Sequence, residues 1–400
     1  MKLLDRLKNF FPSDPKQYKT DSEAVIITCY FNPQRNPYRL KAFNKFYRTI
    51  SHLEHRVIEC VVDGSQPELH SFGVTDERYQ RVYTKNLLWH KEALLNKVIR
   101  ELPKKYKYVF WIDADVIFTN QNWLVDAVKV LKTENIVQPF EYCIHLEQDT
   151  MDPRMNVEFE KSFASDPKRR HPRFWRSFSA NYATNRKRSE DVNYDVHGHV
   201  GFAWGARREI LDAVPLYDKA LVGGADHIIA HAAAGQINHS CITKAFKENI
   251  DEIESWSRRF HYIVNGRIGY VEGELHHIWH GDIAKRQYLK RVQEFTPQSK
   301  NITKKDANGL YETHDDSYVK QYFSQREVRP TNVDDGFVES MLIGYATDSA
   351  AMGTVLGGNP VGAIIGDMLN DNDNHTHHDH SHHDHGHDHN NDTLQSDNFS

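Results

Sequence analysis

The chain has 400 residues, of which 39% are hydrophobic and 12% aromatic, enough for a real core in one large domain or two. A formal net charge of -5 argues against a nucleic-acid-binding protein. Its four cysteines (Cys29, Cys60, Cys143, Cys241) lack CxxC spacing, which argues against a disulfide frame and for reduced thiols in a cytosolic setting.

The first residues, Met1 to Phe11, carry no signal-peptide apolar core. They read as a surface helix, with an amphipathic helix touching a membrane as the alternative. Glu23–Cys29 predicts a buried strand that runs into the turn-forming Tyr30-Phe-Asn-Pro33. Leu40, Phe43, Phe46, Tyr47 and Ile50 recur at helical spacing, and Arg56–Val62 predicts a second strand closed by Asp63-Gly-Ser65. Together these make a strand–helix–strand unit with parallel pairing. An edge strand is expected at Arg81–Tyr83, then a helix from an Asn86 cap to Leu102.

Next comes Tyr108-Val-Phe-Trp-Ile-Asp113-Ala-Asp115-Val-Ile-Phe118. Its aromatic and β-branched run predicts a buried central strand. Two carboxylates one residue apart at its end point to the same side of an extended chain, which suits a hard divalent cation. A helix over 121–132 and a strand over Asn135–Phe140 follow. From Glu141 to Asp195 the pattern fails, with Pro153, Pro167 and Pro172 and a basic run across 168–188. His197–Gly205 regains strand character. Arg207–Val214 is a short helix, and Leu221-Val-Gly-Gly-Ala-Asp226 leads into an Ala-rich helix ending near Gly235. A late strand or turn carries His276, His277 and His280, and Ala284–Phe295 is a basic helix. Residues 337–369 are small, apolar and Gly-rich; Asn359, Pro360, Asp348 and Asp367 argue against a clean membrane span. Residues 371–400, with nine histidines between His375 and His389, read as a disordered tail.

A strand ending in Asp-x-Asp behind such an N-terminal half resembles the GT-A fold of nucleotide-sugar glycosyltransferases. The resemblance extends to Leu88-Trp-His-Lys-Glu-Ala-Leu-Leu-Asn96, Gly201-Phe-Ala-Trp-Gly-Ala-Arg-Arg-Glu-Ile-Leu211, Tyr217-Asp218, Gly223-Gly-Ala-Asp226 and Trp279-His-Gly281. It implies an α/β fold with a Rossmann-like, mainly parallel mixed sheet flanked by helices over 22–300. A helical extension is then expected over 301–333, ahead of the Gly-rich segment (334–370) and the tail.

By that resemblance, Asp115 would ligate Mn²⁺ or Mg²⁺, Asp113 would bind the metal or the ribose, and His280 would complete the metal shell. Asp63 would bind the base, typically uracil, with Tyr30 packed nearby. Trp89 and Asn96 would line the nucleotide site, and Lys91 would reach a phosphate. Asp226 would meet the acceptor hydroxyl as general base. The bland alternatives are a turn for Asp63, core packing for Trp89 and a helix cap for Asp226. His276 and His277 read as satisfied histidines, and His197 and His199 stay unassigned. The implied partners are a nucleotide-sugar donor, UDP-linked, and a glycan, lipid-linked or other hydroxyl acceptor. A haloacid-dehalogenase-type phosphatase using the same Asp-x-Asp, or a non-enzymatic metal-binding scaffold built on the tail, remains open as an alternative.

Overall fold

The computed structural model describes residues 18–69, 77–146, 174–191, 194–281, 286, 288–295 and 302–325. The expectations for residues 1–11, for Pro153, Pro167, Pro172 and Lys168–His171, for the Gly-rich segment and for the tail lie outside these residues.

Strand β1 (Ala24–Phe31) is apolar but for Thr28 and buried on both faces, as a central parallel strand must be. Helix α1 (Pro37–Ile50) starts at Asn36, whose side chain accepts the Tyr38 N–H, with Pro37 at the first turn where its missing N–H costs nothing. The helix buries Ala42, Phe43, Phe46 and Ile50 and returns the chain to β2 (His55–Val62), parallel to β1. Strand β3 (Tyr79–Thr84) forms the sheet edge, α2 (Lys91–Glu101) crosses back, and β4 (Tyr108–Ile112) pairs parallel to β1 on its other side. Then follow β5 (Val116–Phe118), α3 (Trp123–Leu131), β6 (Ile136–Gln138), β7 (Tyr142–His145), β8 (Phe174–Arg176), α4 (Phe178–Thr184), β9 (Ala203–Arg207), α5 (Ala225–Ala234), α6 (Ser240–Ala245), α7 (Ile250–Val264), β10 (Ile268–Tyr270), β11 (Glu274–His277), α8 (Tyr288–Phe295), the hairpin of β12 (Ile302–Lys305) and β13 (Tyr311–Thr313), and α9 (Ser317–Gln325).

The main sheet has the order β10-β6-β9-β4-β1-β2-β3, and β9 alone runs antiparallel to its neighbours. A second sheet, β5-β11-β7-β8, leaves it where β4 ends. This is the mixed, mainly parallel α/β fold expected. The large core cluster joins β1, β2 and β4 to helices α2, α5 and α7 on one face. A second cluster packs α1 and α3 on the other.

Four local expectations need correcting. The helix after β3 begins at Lys91, because the Asn86 amide is spent elsewhere: it donates to the Thr313 carbonyl and accepts the Thr313 N–H, both at 3.1 Å. The stretch read as irregular contains β7, β8 and α4, elements of three to seven residues too short to leave a periodic signature. Of His197–Gly205 only Ala203 onward is strand, and His197 closes a helical turn over Tyr194–His197. The extension after residue 301 opens as a hairpin, not a helix, because the Asp306 carboxylate accepts the Asn308 and Leu310 N–H groups and Gly309 takes φ +80°. No helix among the described residues is long and apolar enough to cross a membrane.

Candidate metal centre and donor cleft

Strand β4 stops at Ile112, and the Asp113 N–H donates to the Phe202 carbonyl at 2.7 Å. Asp115 stands two residues on, where the chain turns into β5. Register then recruits the histidines. Strand β11 pairs antiparallel to β5 with His277 opposite Val116, and the Ile278 N–H donates to the Asp115 carbonyl at 2.8 Å. His277 Nε2 therefore lies 3.8 Å, and His280 Nε2 3.0 Å, from Asp115 Oδ2. All three side chains are buried, and their ligand atoms fall within 4.8 Å of one another.

The hydrogen-bond pattern says what this cluster wants. Arg286 donates to His280 Nε2 at 2.9 Å and to His277 Nε2 at 3.3 Å. A guanidinium cannot accept, so both Nε2 atoms present lone pairs. His280 Nε2 and Asp115 Oδ2 then face each other as two acceptors, and buried Asp115 Oδ1 has no hydrogen-bond partner among the described residues. Converging lone pairs of carboxylate and imidazole fit a divalent cation. Protonation agrees: burial keeps His277 neutral and pushes His280 down to about 4.

Beside the cluster, Lys91 Nζ lies 2.8 Å from Asp113 Oδ1 and 3.1 Å from Asp226 Oδ2. Lys91 is the first residue of α2, and Asp226 sits in the first turn of α5. Gly223 (φ +90°) and Gly224 (φ +96°) turn the chain sharply enough to bring Asp226 there, and Gly224 is itself the N-cap. Asp226 is thus not the cap; its carboxylate faces Lys91. Burial opposes the Lys91 charge, yet Asp113 and Asp226 together raise its pKa well above the ordinary value. Burial, with Asp226 and Asp115 adding to it against Lys91, brings Asp113 up to about 6.

The other expected residues divide. Asp63 is exposed in the turn after β2. Tyr30 is buried against Phe43, its hydroxyl donating to Glu68 at 2.8 Å. The Asn96 amide bridges the Leu216 N–H and carbonyl, both at 2.9 Å, so its polar atoms pin a loop. Trp89 stacks on Phe323 of α9 at 5.2 Å, with the Arg291 guanidinium 4.7 Å from the ring. His276 pairs with Glu274. His277 joins the Asp115–His280 cluster, which the sequence reading did not anticipate, because its place depends on a strand register linking positions some 160 residues apart. Phe202, also missed, holds φ +76° and stacks between His199 (4.1 Å) and His277 (4.9 Å).

These features define a class: an α/β protein with a carboxylate–imidazole cluster at the carboxyl ends of its central strands, where such folds bind ligands. No protein-family model matches the chain, and no curated protein matches it. Solved structures similar to it include glucosyl-3-phosphoglycerate synthase from Mycobacterium tuberculosis in complex with Mn²⁺, UDP and glucosyl-3-phosphoglycerate. That likeness has 11% identity, covers 73% of this chain and 87% of that one, and has a TM-score of 0.33. The same synthase with Mn²⁺, UDP-glucose and phosphoglyceric acid gives 12% identity, 73% and 86% coverage and a TM-score of 0.34. Likenesses this distant carry no weight for function.

Proposed function

We propose that the chain is a metal-dependent glycosyltransferase that moves a sugar from a nucleotide-sugar, UDP-linked, to a hydroxyl acceptor. The observation that carries this is buried Asp115, its Oδ1 without a partner among the described residues, facing His277 and His280 beside the Asp113–Lys91–Asp226 chain. Asp115, His277 and His280 would hold Mn²⁺ or Mg²⁺, which when bound offsets the charge developing on a departing diphosphate. Lys91 supplies a fixed positive charge for the same phosphates. Asp113, at the mouth of β4, orients the ribose directly or through water. Asp63, exposed at the end of β2, is the base-binding residue. Asp226 accepts the proton of the acceptor hydroxyl.

Titration calorimetry of UDP with and without Mn²⁺ tests the assignment. The wild-type chain should bind UDP only with the metal. Asp115→Asn, folded by circular dichroism, should bind at least about tenfold more weakly, the usual scale for disturbing a metal's coordination. Equal titrations from the two proteins reject the site. Phosphate-ester turnover through Asp113 without nucleotide binding supports the phosphatase reading instead.

A further inference from the structure

A second cluster of metal-ligating side chains lies outside the cleft. His227 and His231 stand one helical turn apart on α5, an i,i+4 pair that shares a face. Cys241 is in the first turn of α6, and His197 closes the helical turn before β9. The Cys241 Sγ lies 3.2 Å from His227 Nε2 and 3.3 Å from His231 Nε2. One ligand atom from each of the four residues falls within 4.8 Å of the others. A tetrahedral zinc site, with Zn–S about 2.3 Å and Zn–N about 2.0–2.1 Å, spaces its ligand atoms roughly 3.3–3.6 Å apart. The observed sulfur–nitrogen distances need shifts of only a few tenths of an ångström.

The tautomers are set from outside the cluster. His197 Nδ1 is 2.9 Å from the Gly198 carbonyl, which can only accept, so its proton sits on Nδ1 and Nε2 keeps a lone pair. His231 Nδ1 donates to Gln236 Oε1 at 2.7 Å, and Gln236 in turn donates to Ser189 Oγ at 3.3 Å. His231 Nε2 is therefore also a lone pair, aimed at the sulfur. A histidine whose far nitrogen is held by a carbonyl or amide oxygen is the usual outer arrangement of a metal ligand. His239 stands beside the four and is not one of them. Its Nε2 donates to the Glu190 carbonyl at 3.0 Å, and its Nδ1 lies 2.8 Å from Cys241 Sγ. One thiol proton cannot serve both His227 Nε2 and His231 Nε2, whereas one cation serves these two nitrogens and the sulfur together.

We propose that His197, His227, His231 and Cys241 form a closed, four-ligand structural site for a zinc-class cation. Three imidazoles and one thiolate match the nitrogen and sulfur preference of Zn²⁺ and fill a tetrahedron, leaving no position for substrate. Binding replaces the Cys241 thiol proton, so one proton is released per cation. The site ties three segments distant in sequence: the turn ahead of β9, helix α5 and the start of α6. It is independent of the transferase assignment.

Cobalt substitution in the full-length chain reads the sulfur directly. The His-rich tail contains no cysteine, so any thiolate-to-cobalt charge-transfer band comes from elsewhere. The wild-type chain should show that band together with intense tetrahedral visible bands, and Cys241→Ser should lose the first. His231→Gln should alter the visible bands. A wild-type chain without charge transfer overturns the proposal, as does a band that survives in Cys241→Ser. Should Cys241→Ser fail to fold, serine is placed singly at Cys29, Cys60 and Cys143. A band retained in all three assigns it to Cys241; a band lost in one of them overturns the site.

Discussion

At Lys91 one ammonium serves two carboxylates from different elements. Replacing it with methionine leaves Asp113 and Asp226 partly buried with nothing to neutralise them. Removing one partner of a fully buried pair costs about 3–5 kcal/mol. These side chains keep 20 to 30% exposure, so urea unfolding of Lys91→Met should show a loss of roughly 2 kcal/mol. Asp226 calls for a different measurement. Gly224 already caps the helix, so Asp226→Asn should fold normally and keep donor affinity while turnover falls about a hundredfold or more. Near wild-type turnover in that variant removes the base assignment. That Asp113 and Asp115 close a central strand was legible because the end of an apolar run is a local pattern. The packing of Asn96 and Trp89 was not legible, because a polar or aromatic residue inside a matching block looks the same whether it faces a cleft, a loop carbonyl or a covering helix.

Among the elements, β9 depends on a single glycine. It lies antiparallel between β4 and β6, with Gly205 directly opposite Phe110. A Cβ on Gly205 would come within 2.4 Å of the Phe110 ring, which is fully buried and hemmed in by Trp123. Gly205→Ala should therefore cost about 1–3 kcal/mol, the range for overpacking a filled core, visible as a lower thermal midpoint. A neutral substitution would mean that β9 can slide away from β4. The long parallel strands and α1 were readable from apolar runs and helical spacing. Strands of three residues such as β5, β8 and β10 were not, because their identity comes from the partner strand rather than from their own side chains.

Taken whole, the molecule buries several histidines in neutral form outside both clusters. His55 donates to the Leu53 carbonyl at 2.8 Å under Tyr47, and His90 sits beside Thr84. Burial pushes each down to about 4. In the unfolded chain both take up protons near pH 6.5, so the folded state binds fewer protons between about 6.5 and 4. Their contribution is complete above pH 6.5 and is lost as pH falls toward 4. Between pH 7 and 5 each should cost roughly 2 kcal/mol. Urea midpoints at the two pH values, compared with those of His55→Gln, check this. The variant should lose about 2 kcal/mol less, and an equal loss would place the acid sensitivity elsewhere.

The reversed strand β9 also constrains the order in which the molecule can be built. Strands β1, β2 and β4 can pair as soon as residue 112 exists, but one edge of β4 stays open until residue 203 arrives, and β6 has no partner in the sheet before then. During synthesis, at about 5–20 residues per second, those 90 or so residues leave the edge Tyr108-Val-Phe-Trp-Ile112 bare for roughly 5 to 20 seconds. An unpaired strand of that composition is a template for other chains. Pulse-labelled hydrogen exchange during refolding should accordingly protect the β4 amides that face β1 before those that face β9, with β6 later still. Simultaneous protection of both edges would show that the chain closes the sheet in one step, and that nascent chains meet the same hazard only on the ribosome.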